Sequence, residues 1–456
     1  MRIHFIAIGG AVMHNLALTL HENGHQITGS DDEIYNPSRD RLAKYGLLPK
    51  AMGWYPEQIS TEIDAIILGM HARKDNPELA RAQALQLPIY SYPAYIYEHA
   101  KSKQRVVVAG SHGKTTTTSM ILHVLRHHKI NFDYLVGAQL DGFDLMARLS
   151  DAPIIVMEGD EYPASPIDLR PKIMHYRPHV AIITGIAWDH INVFPTFESY
   201  ISQFDQFIDT IPTEGHLIYF EGDEHLKNIV AAKSNPPEHI TCYEPFESRI
   251  QAHQTHLVTE QGQEIPLQVF GQHNLANLKA AYYACKAIGL SEEQFFEAIP
   301  TFKGAAKRLQ LLRENKDFVA YLDFAHAPSK VEATIKAFKA QYPERPLTAC
   351  LELHTFSSLN KNFLPQYRHT MNDADQAIVF YSPHTLEMKR LAPIEPAEVQ
   401  AAFDHPNLRV ITEPQHFKNI LQDIRWFNQN LLLMSSGTFG GLDYKTFVAG
   451  LASNDE

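Results

Sequence analysis

The chain has 456 residues, of which 45% are hydrophobic and 20% are charged, and its net charge is −12 at pH 7. These values indicate a soluble globular protein of about three domains. The acidic balance argues against binding to bulk nucleic acid or to an anionic membrane, because both require a positive protein surface. No apolar run reaches the roughly 18 to 20 residues of a membrane-spanning helix. The three cysteines are far apart in the sequence, which favours the reducing cytoplasm.

The N-terminal segment has the pattern of a βαβ unit that binds a nucleotide diphosphate. An apolar strand precedes Gly9-Gly10 and a helical stretch, and a second strand runs into the acidic residue Asp31. The NAD fingerprint is absent, since Ala11 and His14 stand where Gly-x-Gly-x-x-Gly requires glycine. We therefore expect a diphosphate at the start of the first helix, and no hydride transfer.

A later junction between a strand and a helix has the pattern of a phosphate-binding loop. The apolar residues 106–109 run into Gly-Ser-His-Gly-Lys-Thr-Thr over residues 110–116, and helical spacing follows. Backbone N–H groups at the helix start would surround phosphate oxygens, Lys114 would neutralise their charge, and the Thr115 hydroxyl would bind Mg²⁺. The loop is a variant, because Val108 stands at the first glycine position of the general pattern.

Polar residues follow two further buried strands of the same region. Glu158 ends one strand, and Asp189-His190 come shortly after the next. Open α/β sheets bind their ligands at the carboxyl ends of the strands, so these residues should converge on a metal and phosphate site. Glu158 is thus a candidate Mg²⁺ ligand. Taken alone, it is equally well explained as an acidic strand end exposed to solvent.

An Ala-rich helix begins near residue 272, and His273 and Asn277 lie one turn apart on one of its faces. Both would be able to contact a planar ligand such as a purine. Capping of the helix by His273 or Asn274 is the alternative. Beyond a hinge-like segment, alternating strands and helices predict another α/β sheet. Its first strand ends in Asp323, and its last runs into a glycine-rich segment that suits close approach of a ligand.

These motifs, in this order, resemble the Mur ligase superfamily along essentially the whole chain. The resemblance implies an α/β fold with the three-domain architecture of that superfamily. Residues 1–103 would form an N-terminal Rossmann-like domain that binds a UDP-sugar, and residues 104–303 a central P-loop ATPase domain. Residues 304–456 would form a C-terminal Rossmann-like domain that contributes to ATP and peptide binding. The matching segments are 110–118, 158–161, 189–190, 271–277, residue 308 and 323–326.

The resemblance also implies ATP-dependent amide synthesis, in which ATP phosphorylates a carboxylate and an amine attacks the acyl phosphate. Residues 8–10 and 29–31 look like the branch that adds the first amino acid to UDP-N-acetylmuramate. Residues 434–441 are similar to the branch that joins a murein tripeptide to this UDP-sugar in peptidoglycan recycling. We favour the recycling branch and keep the alanine-adding branch as the alternative. An alternative of another class is a nucleotide-binding or switch protein, and we expect a monomer or weak homo-oligomer.

By motif position, the resemblance assigns a role to each matching residue. The expected catalytic residues are Lys114, His190 and Arg308, and the expected Mg²⁺ ligands are Thr115, Glu158 and His190. ATP would contact Gly110, Ser111, His112, Gly113, Lys114, Thr115, Thr116, His273, Asn277, Arg308 and Asp323. The UDP-sugar would contact Gly9, Gly10, Ala11, Met13, Ser30 and Asp31. On the peptide side we expect His326, His354, Ser436 and Phe439.

Several positions depart from the pattern of the superfamily. Asn192 stands where aspartate is frequent, and Ala327 replaces the second histidine of a His-His-Pro motif. No lysine lies between residues 191 and 212, so a carbamylated lysine is not expected. His354 stands where some recycling ligases have an arginine able to bind a carboxylate. The third residue of the peptide is therefore open.

Overall fold

The computed structural model describes residues 1–140, 142–188 and 193–451. It contains three separate, mainly parallel sheets with helices between their strands, so the predicted α/β fold class is confirmed. Contacts divide the chain into two compact units. The first comprises residues 1–186, 198–244 and 280–298, and the second comprises the described parts of 187–197, 245–279 and 299–456. No helix of the described residues is long and apolar enough to span a lipid bilayer.

The N-terminal sheet opens the first unit. Its strands are β1 (Arg2–Ile6), β2 (Gln26–Ser30), β3 (Ala65–Leu68) and β4 (Ile89–Ser91), and its helices are α1 (Ala11–Glu22), α2 (Ser38–Lys44), α3 (Pro77–Ala84) and α4 (Tyr92–Ala100). The four strands are parallel, in the order β2-β1-β3-β4. Strand β1 is shorter than the sequence predicts, because Ala7 has a positive φ of 68° and Ile8 turns with it to bond the Ser30 carbonyl.

The central sheet also belongs to the first unit. Its strands are β5 (Gln104–Ala109), β6 (Phe132–Leu135), β7 (Ala147–Arg148), β8 (Ile154–Glu158), β11 (Val180–Ile183), β12 (His216–Phe220) and β13 (His239–Tyr243), and β9 (Pro163–Ser165) and β10 (Asp168–Pro171) form a hairpin. The order is β13-β12-β11-β5-β8-β6-β7, and only β7 is antiparallel to its neighbour. Helices of this part of the chain are α5 (Lys114–His127), α6 (Ile173–Tyr176), α7 (Phe197–Ile208), α8 (Glu224–Ala231), α9 (Gln272–Ala287) and α10 (Glu292–Ala298).

The second unit contains a small antiparallel sheet and a larger parallel one. The small sheet is formed by β14 (Ser248–Gln251), β15 (Gln254–Val258) and β16 (Glu264–Pro266). The large sheet has β17 (Gln310–Glu314), β18 (Phe318–Asp323), β19 (Leu347–Leu353), β20 (Gln376–Tyr381), β21 (Leu408–Ile411) and β22 (Gln429–Met434), in the order β17-β18-β22-β19-β20-β21 with β17 antiparallel. Two buried apolar clusters pack this sheet with α11 (Pro328–Gln341), α12 (Pro383–Met388), α13 (Pro396–Phe403), α14 (Pro414–Asp423) and α15 (Tyr444–Ala449).

Arg105 joins the N-terminal and central sheets of the first unit. Its side chain is 7% exposed and donates to five backbone carbonyls, at 2.9 to 3.1 Å. Three of these carbonyls belong to the end of α4 and the segment after it, and two belong to the end of α6 and Arg177. A second connection runs from α1 to β7, where the Thr19 hydroxyl donates to the Ala147 carbonyl at 2.8 Å.

A buried ion pair lies at the start of β5, in a segment that reads as a polar connector in the sequence. Lys103 is 6% exposed, and its ammonium group is 2.7 Å from the carboxylate of Asp133, which is fully buried. The same ammonium donates to the carbonyls of Ser150 and Ala152. The connector is therefore part of the core, because the lysine side chain turns inward to an acid on β6.

We expect Lys103→Met to destabilise the first unit by about 3 to 5 kcal/mol, since it leaves the buried carboxylate of Asp133 without a counter-charge. The measurement is urea unfolding of the wild type and the variant. Lys101→Met is the matched control, because Lys101 makes an exposed ion pair with Glu98 and should contribute less than about 1 kcal/mol. Equal loss of stability in both variants would contradict the prediction.

Candidate functional site

The predicted phosphate loop joins β5 to α5, and two glycines give it its shape. Gly110 has φ 122°, and a Cβ at this position would lie 2.3 Å from the Thr184 hydroxyl oxygen. Gly113 has φ 75° and precedes the first residue of α5. The Thr184 hydroxyl donates to the His112 carbonyl, and the Ser111 N–H donates to the Gly185 carbonyl at 2.9 Å. The end of β11 therefore holds the loop in place.

Lys114 at the start of α5 is held by acidic and carbonyl groups. Its ammonium is 2.5 Å from the Gly110 carbonyl oxygen and 3.2 Å from a carboxylate oxygen of Glu161. Burial alone would lower the pKa of Lys114, but the carboxylates of Glu161, Asp160 and Glu158 raise the pKa above its ordinary value. The lysine is therefore a cation at neutral pH, as phosphate binding requires.

Glu161 belongs to the matching segment 158–161, but its sequence position predicts no role for it. It is 1% exposed, and its second carboxylate oxygen accepts the Tyr200 hydroxyl at 2.8 Å. The Tyr200 oxygen is also 2.8 Å from the Ser111 hydroxyl in the loop. Tyr200 lies on α7, 39 residues from Glu161 along the chain, so no local pattern predicts this connection.

The structure brings together two of the three predicted metal ligands. The Thr115 hydroxyl donates to one oxygen of Glu158 at 2.9 Å, and the other oxygen accepts the Gly137 N–H at 2.9 Å. A hydroxyl and a carboxylate are the hard oxygen donors that Mg²⁺ prefers. The third predicted ligand, His190, and the neighbouring Asp189 and Asn192 lie outside the described residues. Thr116 is buried in the first turn of α5.

The start of α1 forms the second predicted nucleotide site. Gly10 caps the helix without a side-chain bond, and Ala11 is its first, exposed residue. The Gly9 N–H donates to Asp31 at 2.7 Å, and a Cβ on Gly9 would lie 2.9 Å from the same carboxylate oxygen. Only glycine allows this approach. The Met13 side chain is buried on the inward face of α1, and its contact with a UDP-sugar stays a prediction.

Burial raises the pKa of Asp31 to about 6, and the hydrogen bond and charge of Asp32 act in the same direction. An unperturbed aspartate releases its proton near pH 3.8. The folded protein therefore binds more protons than the unfolded chain between these values, and stability falls as pH rises through this window. The ionised carboxylate of Asp31 is thus maintained at neutral pH at a cost in stability.

Ser30 is buried, and its hydroxyl donates to Glu78 on α3. Glu78 also accepts the Tyr55 N–H at 2.6 Å and is 3.3 Å from the imidazole of His4. Burial opposes ionisation of Glu78, but the hydrogen bonds from His4, Ser30 and Tyr55 lower its pKa below the ordinary value. Glu78 therefore fixes Ser30 and the loop that contains Tyr55. In the sequence, Glu78 looks like any acidic residue in the first turn of a helix. Its role could not be predicted, because its partners are distant along the chain.

In the second unit, the predicted purine-binding residues lie on α9 as expected. Asn277 is 7% exposed, and the Asn274 amide donates to the Phe270 carbonyl at 2.9 Å. Burial lowers the pKa of His273, and the charge of Asp323 opposes this shift. His273 is therefore neutral at pH 7, and its charge interaction with Asp323 places both predicted ATP residues in one neighbourhood.

Asp323 uses its carboxylate to shape the segment that carries Arg308. One oxygen accepts the Leu309 N–H and the other the Ala325 N–H, each at 2.7 Å. Lys307 and Leu309 have positive φ values of 55° and 43°, a conformation that needs such support. The Arg308 guanidinium lies 4.3 Å from the centre of the Phe324 ring. Asp323 is therefore a positioning residue for Arg308.

The residues expected on the peptide side lie in the same unit, with different surroundings. The His326 ring is 2.8 Å from the Phe324 carbonyl oxygen, and the Ser436 hydroxyl is buried without a hydrogen-bond partner among the described residues. His354 lies 3.7 Å from the buried carboxylate of Glu352. The Phe439 side chain is fully buried and stacks on Phe417, with ring centres 4.6 Å apart, so in this structure it packs the core; a peptide contact for it stays a prediction.

Comparison with known proteins finds one family. Residues 2–104 match the description Mur ligase family, catalytic domain, and residues 108–285 match Mur ligase middle domain. A UDP-N-acetylmuramate–L-alanyl-γ-D-glutamyl-meso-2,6-diaminoheptandioate ligase from Haemophilus influenzae is 28% identical over an alignment of 453 residues that covers 97% of this chain and 98% of that protein. A UDP-N-acetylmuramate–L-alanine ligase from Carboxydothermus hydrogenoformans is 28% identical over 389 residues, covering 83% and 81% respectively.

Among solved structures, a murein peptide ligase from Psychrobacter arcticus has the same fold, with a TM-score of 0.65. It is 22% identical in sequence, and the alignment covers 99% of this chain and 100% of that one.

We expect Asp31→Asn to remove the pH-dependent loss of stability, because the amide oxygen can still accept the Gly9 N–H. Relative to the wild type, the variant should gain about 1 to 3 kcal/mol as pH rises from about 4 to about 6, since one pKa unit corresponds to about 1.4 kcal/mol. Urea unfolding at several pH values measures the difference. Asp32→Asn is the companion variant and should move the transition to lower pH without abolishing it. A difference that does not change with pH would refute the prediction.

Proposed function

Because the chain belongs to the Mur ligase family, we propose that it joins UDP-N-acetylmuramate to the murein tripeptide L-alanyl-γ-D-glutamyl-meso-diaminopimelate, with ATP as the energy source. The relative whose name gives this activity aligns over 97% of the chain, whereas the alanine-adding relative aligns over 83%. This difference supports the tripeptide as the amine substrate. The reaction would take place in the cytoplasm as a step of peptidoglycan recycling.

The observation that carries the proposal is the group formed by Lys114, Thr115 and Glu158 at the phosphate loop. A carboxylate lacks a good leaving group, and phosphorylation by ATP supplies one. Backbone N–H groups at the start of α5 and the charge of Lys114 would bind the phosphates and stabilise the negative charge of the transferring phosphoryl group. Thr115 and Glu158 would hold Mg²⁺, which neutralises further phosphate charge when bound.

The amine of the tripeptide then attacks the acyl phosphate, the C–N bond forms and inorganic phosphate leaves. At the predicted UDP-sugar site no side chain caps the start of α1, so the N–H groups of its first turn would be able to bind a diphosphate. In the second unit, we propose adenine contacts for His273 and Asn277 and a phosphate contact for Arg308. The neutral imidazole of His273 and the buried amide of Asn277 suit a planar, uncharged base.

The function is tested by following ADP release with purified protein, ATP, Mg²⁺ and UDP-N-acetylmuramate. We expect ADP to form rapidly with the tripeptide and slowly or not at all with L-alanine. Faster ADP release with L-alanine would instead support the alanine-adding activity. ADP release that needs no amine would support a nucleotide-binding or switch protein and contradict the proposed ligase.

We expect Lys114→Ala to abolish tripeptide-dependent ADP release, with a loss of at least about a thousandfold, because it removes the partly buried cation that stabilises phosphate charge. The affinity for UDP-N-acetylmuramate, measured by calorimetry, should stay unchanged, since that site is built on α1. Lys101→Ala, which removes an exposed lysine, is the control and should leave both quantities unchanged. Loss of UDP-sugar binding in Lys114→Ala would contradict this division of roles.

A further inference from the structure

Two exposed apolar side chains and a partly buried lysine lie at the carboxyl edge of the large sheet in the second unit. Phe356 is 49% exposed and Met388 is 71% exposed, which is unusual for large apolar residues. Lys389 lies beside them, with its ammonium nitrogen 4.2 Å from the centre of the Phe356 ring. We call Phe356, Met388 and Lys389 the lysine platform.

The fold explains why these residues meet. Strands β19 and β20 are parallel and in register, with Leu353 paired to Tyr381 at their carboxyl ends. The segments that follow these two strands therefore leave the same edge of the sheet side by side. One segment carries His354 and Phe356, and the other continues through α12 to Lys389. Open α/β sheets bind ligands at this edge.

Lys389 has a different kind of partner from two other lysines of the second unit. Lys339 pairs with Asp375 at 2.8 Å, and Lys361 pairs with Glu398 at 2.8 Å. Within the described ranges, no carboxylate lies within ion-pair distance of Lys389, whose ammonium is instead on an aromatic ring. Burial lowers the pKa of Lys389. The platform thus presents a positive charge that a ligand can neutralise.

His354 does not supply this charge. Its ring lies 3.7 Å from Glu352, and a Cβ at Gly437 would lie 2.9 Å from the ring, so the imidazole is confined against the glycine-rich segment. The other carboxylate oxygen of Glu352 accepts the Ser435 hydroxyl and the Phe439 N–H. At this edge, His354 is therefore already engaged by Glu352. Phe356, two residues further along the chain, instead contacts Lys389, which has no carboxylate partner among the described residues.

We propose that the lysine platform binds the side-chain carboxylate of the third residue of the peptide substrate, and that Lys389 determines specificity for it. This inference rests on the proposed function, because it assigns a part of that amine substrate to a subsite. The ammonium would form an ion pair with the carboxylate, and Phe356 and Met388 would contact the aliphatic chain that carries it. Partial burial of the lysine strengthens such a pair relative to one in open solvent.

The experiment compares two peptides that differ by one carboxylate: L-alanyl-γ-D-glutamyl-meso-diaminopimelate and L-alanyl-γ-D-glutamyl-L-lysine. We expect the wild type to prefer the first peptide by about tenfold or more in kcat/KM, which is the range for a hydrogen bond to a charged group. Lys389→Met should abolish this preference, so that the kcat/KM values of the two peptides differ by a factor of about 1. The main change should be a higher KM for the first peptide. Lys389→Arg should restore most of the preference.

Lys316→Met is the matched control, because Lys316 is exposed in the turn before β18, at the opposite edge of the same sheet. This variant should keep the preference and the rate of the wild type. A preference unchanged in Lys389→Met, or an equal loss with both peptides, would overturn the role of the platform while leaving the ligase proposal intact. If the wild type uses neither peptide, the proposed function itself fails.

Discussion

The loops at the carboxyl edges of all three parallel sheets depend on one interaction, in which a carboxylate accepts a backbone N–H group from a neighbouring segment. A carboxylate removed from water needs hydrogen-bond donors. The loop that supplies these N–H groups is therefore held in the conformation that points them at the carboxylate. Helix and strand packing alone would leave these loops free to vary. The residues concerned are Asp31 with Gly9, Glu158 with Gly137, Asp323 with Leu309 and Ala325, and Glu352 with Phe439.

The same principle applies to the cation of the phosphate loop. An isolated buried lysine tends to lose its proton, because the interior disfavours charge. Glu161 prevents this, and the hydroxyl groups of Tyr200 and Ser111 hold Glu161 in position. Lys114 is therefore charged in the absence of a nucleotide, and Glu161 and Tyr200, which are not among the predicted ATP contacts, hold this charge in place.

Local sequence was a good guide to features that depend on residues close together in the chain. The glycine positions of the phosphate loop, the alternation of strands and helices, and the proximity of Thr115 to Glu158 follow from spacing and from the rule that parallel strands end at one edge. Sequence could not reveal the inward turn of Lys103, the bond between Tyr200 and Glu161, or the burial of Phe439. Each of these depends on a partner distant in the chain, and a residue in a glycine-rich segment looks the same whether it faces a ligand or the core.

The position of Arg105 has a thermodynamic consequence for the first unit. Its five hydrogen bonds tie the end of the N-terminal sheet to α6 and β5, so the separation between the start of α1 and the phosphate loop is established when the unit folds. Two ligands influence each other's affinity when both shift the same conformational equilibrium. Sites that the fold holds at a fixed separation offer no such equilibrium within the unit. For the UDP-sugar and nucleotide sites proposed on this unit, the linkage free energy between the two ligands should then be close to zero, and their order of addition would be decided outside the unit.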